Sequence, residues 1–210
     1  YGDVAIVAPS NDDAYAELSG GHGTRFRLCA WKGLVAVDML RKLLHERRPY
    51  EADPGQCDRV YAGYLSRLEQ AVERGARDAG AVLAEAVDAF EVVVPGGGSR
   101  PGRDLPGGAR KPGISVTGEI FMRDNPSANG RIVQRLERLG AEVLITPVRE
   151  WITYSTYRYG RDSRWEGNLK GLLQSRVQQL FQRSIEKRLV DVAREHVDIR
   201  RDIHLGRCLD

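Results

Sequence analysis

The sequence predicts an α/β fold, a parallel sheet flanked by long helices, and three observations carry it. Residues 113 to 147 read strand, loop, helix, strand, within the roughly 35 residues a right-handed βαβ crossover needs. Two other stretches, 28 to 47 and 165 to 197, repeat apolar residues at helical spacing. Apolar residues make up 41% of the 210, enough to build a core.

The elements follow in chain order. "DVAIVAP" (3 to 9) is a β-branched run stopped by Pro, so it reads as a buried strand. The polar, Gly-rich stretch after it reads as a loop. From Leu28 to Arg47, Leu28, Trp31, Val35, Met39 and Leu43 form one helical stripe, and "RPYEADPG" ends it. A second helix covers Gln56 to Phe90, with Val60, Tyr64, Leu68 and Val72 four apart. Gly75 and Gly80 each weaken its middle by ~1 kcal/mol, which predicts a bend or a split.

Residues 95 to 113 hold seven Gly and four Pro in nineteen, the composition of a solvated linker. The chain therefore divides into 1–94, a linker over 95–112, and a βαβ unit with a long helix over 113–210. In that unit "GISVTGEI" is the first strand and "AEVLITP" the second. Between them Asn125 is placed to cap a helix with Pro126 at its first position. Ile132, Val133, Leu136 and Leu139 give its buried face and Gly140 its end. "VREWITYSTYRYGRDSR" reads as an aromatic loop. The last helix carries Leu169, Leu173, Val177, Phe181, Ile185 and Leu189 every four residues, widened by Leu172 and Leu180. Such a stripe must lie against something apolar.

Composition narrows the function. A net charge of +3 against 29% charged residues gives no argument for nucleic acid or membrane as partner. Cys29, Cys57 and Cys208 stand far apart without CxxC spacing, which points to a reducing, cytoplasmic setting and not to a disulfide framework. No signal peptide and no 18-residue apolar run is present. The start without Met and the end on "HLGRCLD" read as the ends of a piece of a longer protein.

The candidate site lies where two parallel strands would end, because open α/β sheets bind ligands at that edge. After the first strand, Arg123 offers a forked donor to a phosphate or carboxylate. Glu119 can accept from a ribose hydroxyl, or act as a base if burial raises its pKa. The helix expected to begin near Asn125 or Ser127 aims backbone N–H groups at an anion. After the second strand come Glu150 and Trp151. Glu119 and Glu150 could share a proton or hold a cation. Equally, Glu119 pairs with Arg123, Asn125 only caps, Glu150 pairs with Arg149 or Arg158, and Trp151 packs as a lid. Trp151, Tyr154, Tyr157 and Tyr159 suit stacking on an adenine, a hydrophobic cover or a subunit contact, and the cover is the favoured reading. There is no GxGxxG and no GxxxxGK[ST]. Asp12 and Asp13 suit either Mg²⁺ or a capped turn, and the His in "GGHG" is a lone loop side chain. Cys29 and Cys57 each begin a helix, where a buried thiol is the ordinary reading; three distant thiolates can otherwise hold an iron–sulfur cluster.

"YGDVAIVAPSNDDAY", "RLCAWKGLVAVDMLRKLLHERRPYE" and "KPGISVTGEIFMRDNPSANGRIVQRLERLGAEVLITPVREWITY" together resemble the 2-hydroxyacyl-CoA dehydratase and CoA-substrate-specific enzyme activase superfamily, in its poorly characterised bacterial and archaeal branch. The resemblance implies a Rossmann-like sheet with long helices. It implies a four-iron, four-sulfur cluster in the whole protein, with ligands outside this chain. It implies ATP-driven electron transfer that dehydrates an acyl-CoA through a ketyl radical. Its partners would be acyl-CoA or another phosphate-bearing small molecule and an ATPase/activase domain; a homodimer is compatible with the same reading. The cysteine-bearing segment that precedes the Tyr-Gly-Asp start in the family is not in this chain, and Glu150-Trp151 stands where dehydratases place a cysteine. The positions carried over are Glu119, Arg123, Asn125, Asn129, Glu150 and Trp151. On this reading the chain supplies part of a CoA or anion pocket and a docking surface. The alternative is a non-catalytic binding or assembly module that uses the aromatic segment and the last helix.

Overall fold

The computed structural model describes residues 23–94 and 111–197. The stretch "DVAIVAP", Asp12, Asp13, His22, most of the Gly/Pro-rich linker and Cys208 lie outside the described residues.

Helix α1 (Gly23–Arg47) is the element around which the others pack. Trp31, Val35, Ala36, Met39, Leu40, Leu43 and Leu44 are all buried, the stripe expected from the sequence. The ring of Trp31 also donates from Nε1 to the carbonyl of Gln182, at 3.2 Å. Pro49 ends the helix in a 3₁₀ turn, Arg48–Tyr50, because proline offers no N–H and disfavours helix in the residue before it.

The second helical stretch splits, as its glycines predict. Helix α2 (Gln56–Glu73) and helix α3 (Ala79–Val92) are joined by a turn in which Gly75 has φ +96° and Ala76 φ +54°. The Glu51 carboxylate starts α2 by accepting from Gly55 N and Cys57 N, each at 2.8 Å. Cys57 is buried behind that cap, and burial together with Glu51 pushes its thiol up to about 12. Cys29 donates from Sγ to the carbonyl of Val72 at 3.0 Å. Both cysteines therefore serve the core, Cys57 as a protonated thiol.

Strand β1 (Gly113–Val116) pairs in parallel with β2 (Glu142–Ile145), in the register Gly113↔Glu142 to Val116↔Ile145. Among the described residues the sheet has two strands. The crossover differs from its expectation. Strand β1 stops at Val116, and a single turn of helix, α4 (Ile120–Asp124), replaces the strand-like end "EI". Asn125 is the residue after α4 and does not cap the following helix, which starts only at Ile132. That helix, α5 (Ile132–Arg138), buries Val133 but leaves Leu139 exposed. The reason is local: Asn125 Oδ1 accepts from Ser127 N and Ala128 N, which holds residues 125–128 in a turn. The helical start moves past Arg131, itself at φ +55°.

The expected aromatic loop is a helix. Helix α6 (Val148–Trp165) and helix α7 (Leu169–Ala193) form an antiparallel hairpin closed by Glu166, Gly167 and Asn168. Weak intrinsic propensity in "WITYSTY" is overridden by packing. Gly160, Ser163, Gly171 and Ser175 make a small-residue crossing where the two helices approach closely. A Cβ on Gly171 would lie 2.6 Å from Ser163 Oγ, and one on Gly160 would collide with Ser175 Oγ. Gly160→Val is expected to cost about 1–3 kcal/mol by overpacking this crossing, read as a lower urea midpoint with the slope unchanged. An unshifted midpoint would show that the helices can separate freely there.

Ile185, Leu189, Val190, Ala193 and Val197 join the core made by α1, α2 and α3, so residues on both sides of the linker share it. The first half of the α7 stripe does not. Leu169, Leu173, Val177, Leu180 and Phe181 are 78%, 67%, 58%, 68% and 49% exposed. Among the described residues no helix is long and apolar enough to cross a membrane.

Candidate functional site

Because β1 and β2 run parallel and in register, the chain leaves both at the same edge of the sheet. Thr117 to Glu119 lead from one into α4, and Thr146 and Pro147 lead from the other into α6. Helix α1 passes this edge and presents one polar face to it: Asp38, Arg41, Lys42, His45 and Glu46, spaced three, four, seven and eight residues from the first. Together with Ser115 and residues 143–147 they line a cleft. Its solvent-sized interior is about 30 Å³, room for about two waters.

Asp38 is the centre of that face. It is buried, and its carboxylate accepts from Val148 N at 3.3 Å and Arg149 N at 2.9 Å. Helix α6 begins after Pro147, which has no capping side chain of its own. Asp38 therefore supplies the cap from another helix and places a negative charge at the positive end of the α6 dipole. Burial raises its carboxyl above the usual range, against the pull of those backbone bonds and of Arg149 and Arg41. Arg149, buried, lies 3.8 Å from Asp38 and donates from Nε to Glu186 on α7 at 3.1 Å. Arg41 links Asp38, at 3.5 Å, to Asp124 at the end of α4. Lys42 pairs with Glu46 at 3.2 Å. Each cation of the cluster faces a carboxylate, and the cluster ties α1 to α4, α6 and α7.

His45 is buried in the same face. Burial holds its pKa well below the usual imidazole value, and Arg48, Arg41 and Lys42 push it the same way. The ring is neutral in the fold. Above about pH 6.5 it is neutral in the unfolded chain too, and contributes no pH dependence. As pH falls below that value, the unfolded chain takes up a proton that the folded chain refuses, so stability falls until the folded pKa is reached. His45→Gln is expected to flatten the loss of stability between about pH 6.5 and 5, measured by urea unfolding at each pH. Parallel curves for the two proteins would contradict it.

The six positions singled out in the sequence take other places. Glu119 is exposed and caps α4, accepting from Met122 N at 2.9 Å. The N–H groups of Met122 and Phe121, and then Arg123, lower its pKa, the opposite of what a base raised by burial requires. Arg123 is buried, with Nη1 donating to Gly118 O at 3.2 Å and Nη2 to Asp124 at 3.2 Å. Its fork is turned inward to the loop. Asn125 holds its own turn, and Asn129 donates to Arg123 O at 2.9 Å while accepting from Ile132 N at 3.3 Å. The helix after that turn is one of seven residues, with its first N–H bonded to Asn129. Glu150 sits half-buried in the first turn of α6, and Trp151 beside it is 52% exposed. Arg158 pairs with Asp162, at 3.5 Å. The sheet brings the segments of Glu119 and Glu150 to one edge, yet none of the six lines the cleft.

The residues that do line it were missed because their spacing on α1 reads as a solvated helical face. The one available signal was that the opposite face of α1 is apolar through eight or more positions, too many for a surface helix. No family model, curated protein or solved structure matches this chain.

Proposed function

We propose that this chain is a docking domain of a 2-hydroxyacyl-CoA dehydratase/activase-type iron–sulfur assembly. It presents the α6–α7 hairpin to a cluster-bearing or ATPase partner, and the partner carries the redox and dehydration chemistry. The observation that supports this is the uncovered apolar row on α7, from Leu169 to Phe181. Five large apolar side chains in a contiguous row mark an interaction surface. The sheet-edge cleft, in contrast, is occupied by the chain's own ion pairs and has room for about two waters.

The test introduces a cysteine at Leu173, more than half exposed, and follows its maleimide labelling with and without co-expressed cluster-bearing and ATPase components of such an assembly. Labelling is expected to slow at least about tenfold in the complex, as burial in an interface excludes reagent. Equal rates with every component would remove this reading.

A second reading, part of a pocket for acyl-CoA or another phosphate-bearing molecule, has its own support. The Glu119 and Glu150 segments leave adjacent parallel strands at one edge, the place where open α/β sheets take ligands. Binding of CoA, acyl-CoA or ATP should raise the melting temperature by mass action. A melting curve that none of the three shifts would remove it.

A further inference from the structure

The uncovered face of α7 has a definite shape and sign. Leu169, Leu173, Val177 and Phe181 follow one another at four-residue intervals, with Leu180 alongside. They form an i±4 ridge, the kind that packs into the groove of a second helix. From Leu169 to Phe181 the ridge is about 18 Å long at 1.5 Å per residue, a little over three turns.

The charged residues that border the ridge are cations. Lys170, Arg176 and Arg183 are exposed along it, and no Asp or Glu occurs between Glu166 and Glu186. On the helix, Arg176 and Arg183 fall on one side of the ridge and Lys170 on the other. Beyond Phe181 the same face continues with exposed Lys187 and Arg188, Lys187 being paired with Asp191 at 3.4 Å.

We infer that this ridge receives an acidic amphipathic helix of a protein partner, an inference that rests on reading α7 as the docking face. A helix about three turns long would lay its apolar stripe on the ridge, with carboxylates on both borders facing Arg176, Arg183 and Lys170. Charge disfavours a second copy of this chain. Arg176 lies near the middle of the ridge, so a two-fold contact would bring it against its own counterpart. A lipid surface is a poorer match. The ridge is only one side chain to two wide, too narrow a strip to sink into an acyl layer, and of the two cations beyond it Lys187 is already paired with Asp191.

The probe is a synthetic helical peptide with leucines at i, i+4 and i+8 and glutamates on both borders, its affinity for the chain read by fluorescence anisotropy. A control peptide carries lysine for every glutamate. The acidic peptide is expected to bind at least about tenfold tighter at low salt, and the preference to fade as salt screens it. Leu173→Glu with Val177→Glu should abolish binding while the helical circular dichroism and melting temperature stay as they were, since both side chains are already mostly exposed. Arg176→Glu with Arg183→Glu should reverse the preference towards the lysine peptide. Equal affinity for the two peptides, or none for either, overturns the inference. So does binding to phosphatidylserine vesicles that Leu173→Glu with Val177→Glu removes, or a dimer in sedimentation that the same pair dissociates. A peptide result of either kind leaves the identity of the assembly to the maleimide experiment, so the two ideas fail separately.

Discussion

Asp38→Ala is expected to destabilise the fold by about 3–5 kcal/mol, because it removes the one carboxylate that answers both a helix start and a buried arginine. Val148 N and Arg149 N lose their acceptor. Arg149, with its side chain only 4% exposed, keeps Glu186 but loses the charge on its other side. The cost combines a lost cap of about 1 kcal/mol with the larger penalty of a buried charge left short of compensation. Asp38→Asn separates the two contributions: its amide oxygen can still accept, yet it brings no charge. Urea unfolding gives the total. The indole N–H resonance of Trp31, bonded to Gln182 on α7, shows whether the hairpin loosens first. A loss below about 1 kcal/mol in Asp38→Ala would mean that the cluster is decoration.

The second large effect is expected at Arg48. This side chain, 8% exposed, donates from Nε to Glu137 at 2.7 Å and from Nη2 to the other oxygen at 3.0 Å, a forked pair that fastens α5 to the turn after α1. It also reaches Asp58 on α2, at 2.7 Å. Arg48→Met keeps most of the volume and strips the charge. Glu137, whose side chain is itself 8% exposed, is then buried without its partner, and a loss of about 3–5 kcal/mol follows. Asp58 is 55% exposed and can rehydrate, so Asp58→Asn is expected to cost less than about 1 kcal/mol. Adding Glu137→Leu to Arg48→Met should recover much of the loss, since an apolar pair of similar volume removes the stranded carboxylate. If the double variant is no more stable than the single one, the two residues do not act as a pair.

Much of the architecture could be read before any coordinates because it follows from short-range rules. The stripe on α1, the break at Gly75 and the parallel pairing of "GISV" with "EVLI" each follow from periodicity, glycine or crossover length. The failures share a cause, which is that distant residues decide them. Whether "REWITYSTYRYG" is loop or helix depends on Gly160 and Ser163 meeting Gly171 and Ser175. The start of α6 is fixed by Asp38, 110 residues away. At the candidate site, the residue types that suggested an anion pocket were present. Arg123 nevertheless turns to Gly118 O and Asp124, and Glu119 to the N-terminus of α4, because short-range bonds within the loop were already available. The α7 stripe was legible as apolar, but nothing in the sequence told which half the chain itself would cover.

The bond from Trp31 to Gln182 spans 151 positions, and it has a consequence for synthesis. Translation at 5–20 residues per second puts roughly 8–30 s between the emergence of those two residues. For that time the greasy side of the first helix waits on the ribosome with only its nearest neighbours for cover. Nascent chains stalled before residue 169 should therefore be held by a chaperone and be cut readily by protease, and chains stalled after release of the last helix should resist both.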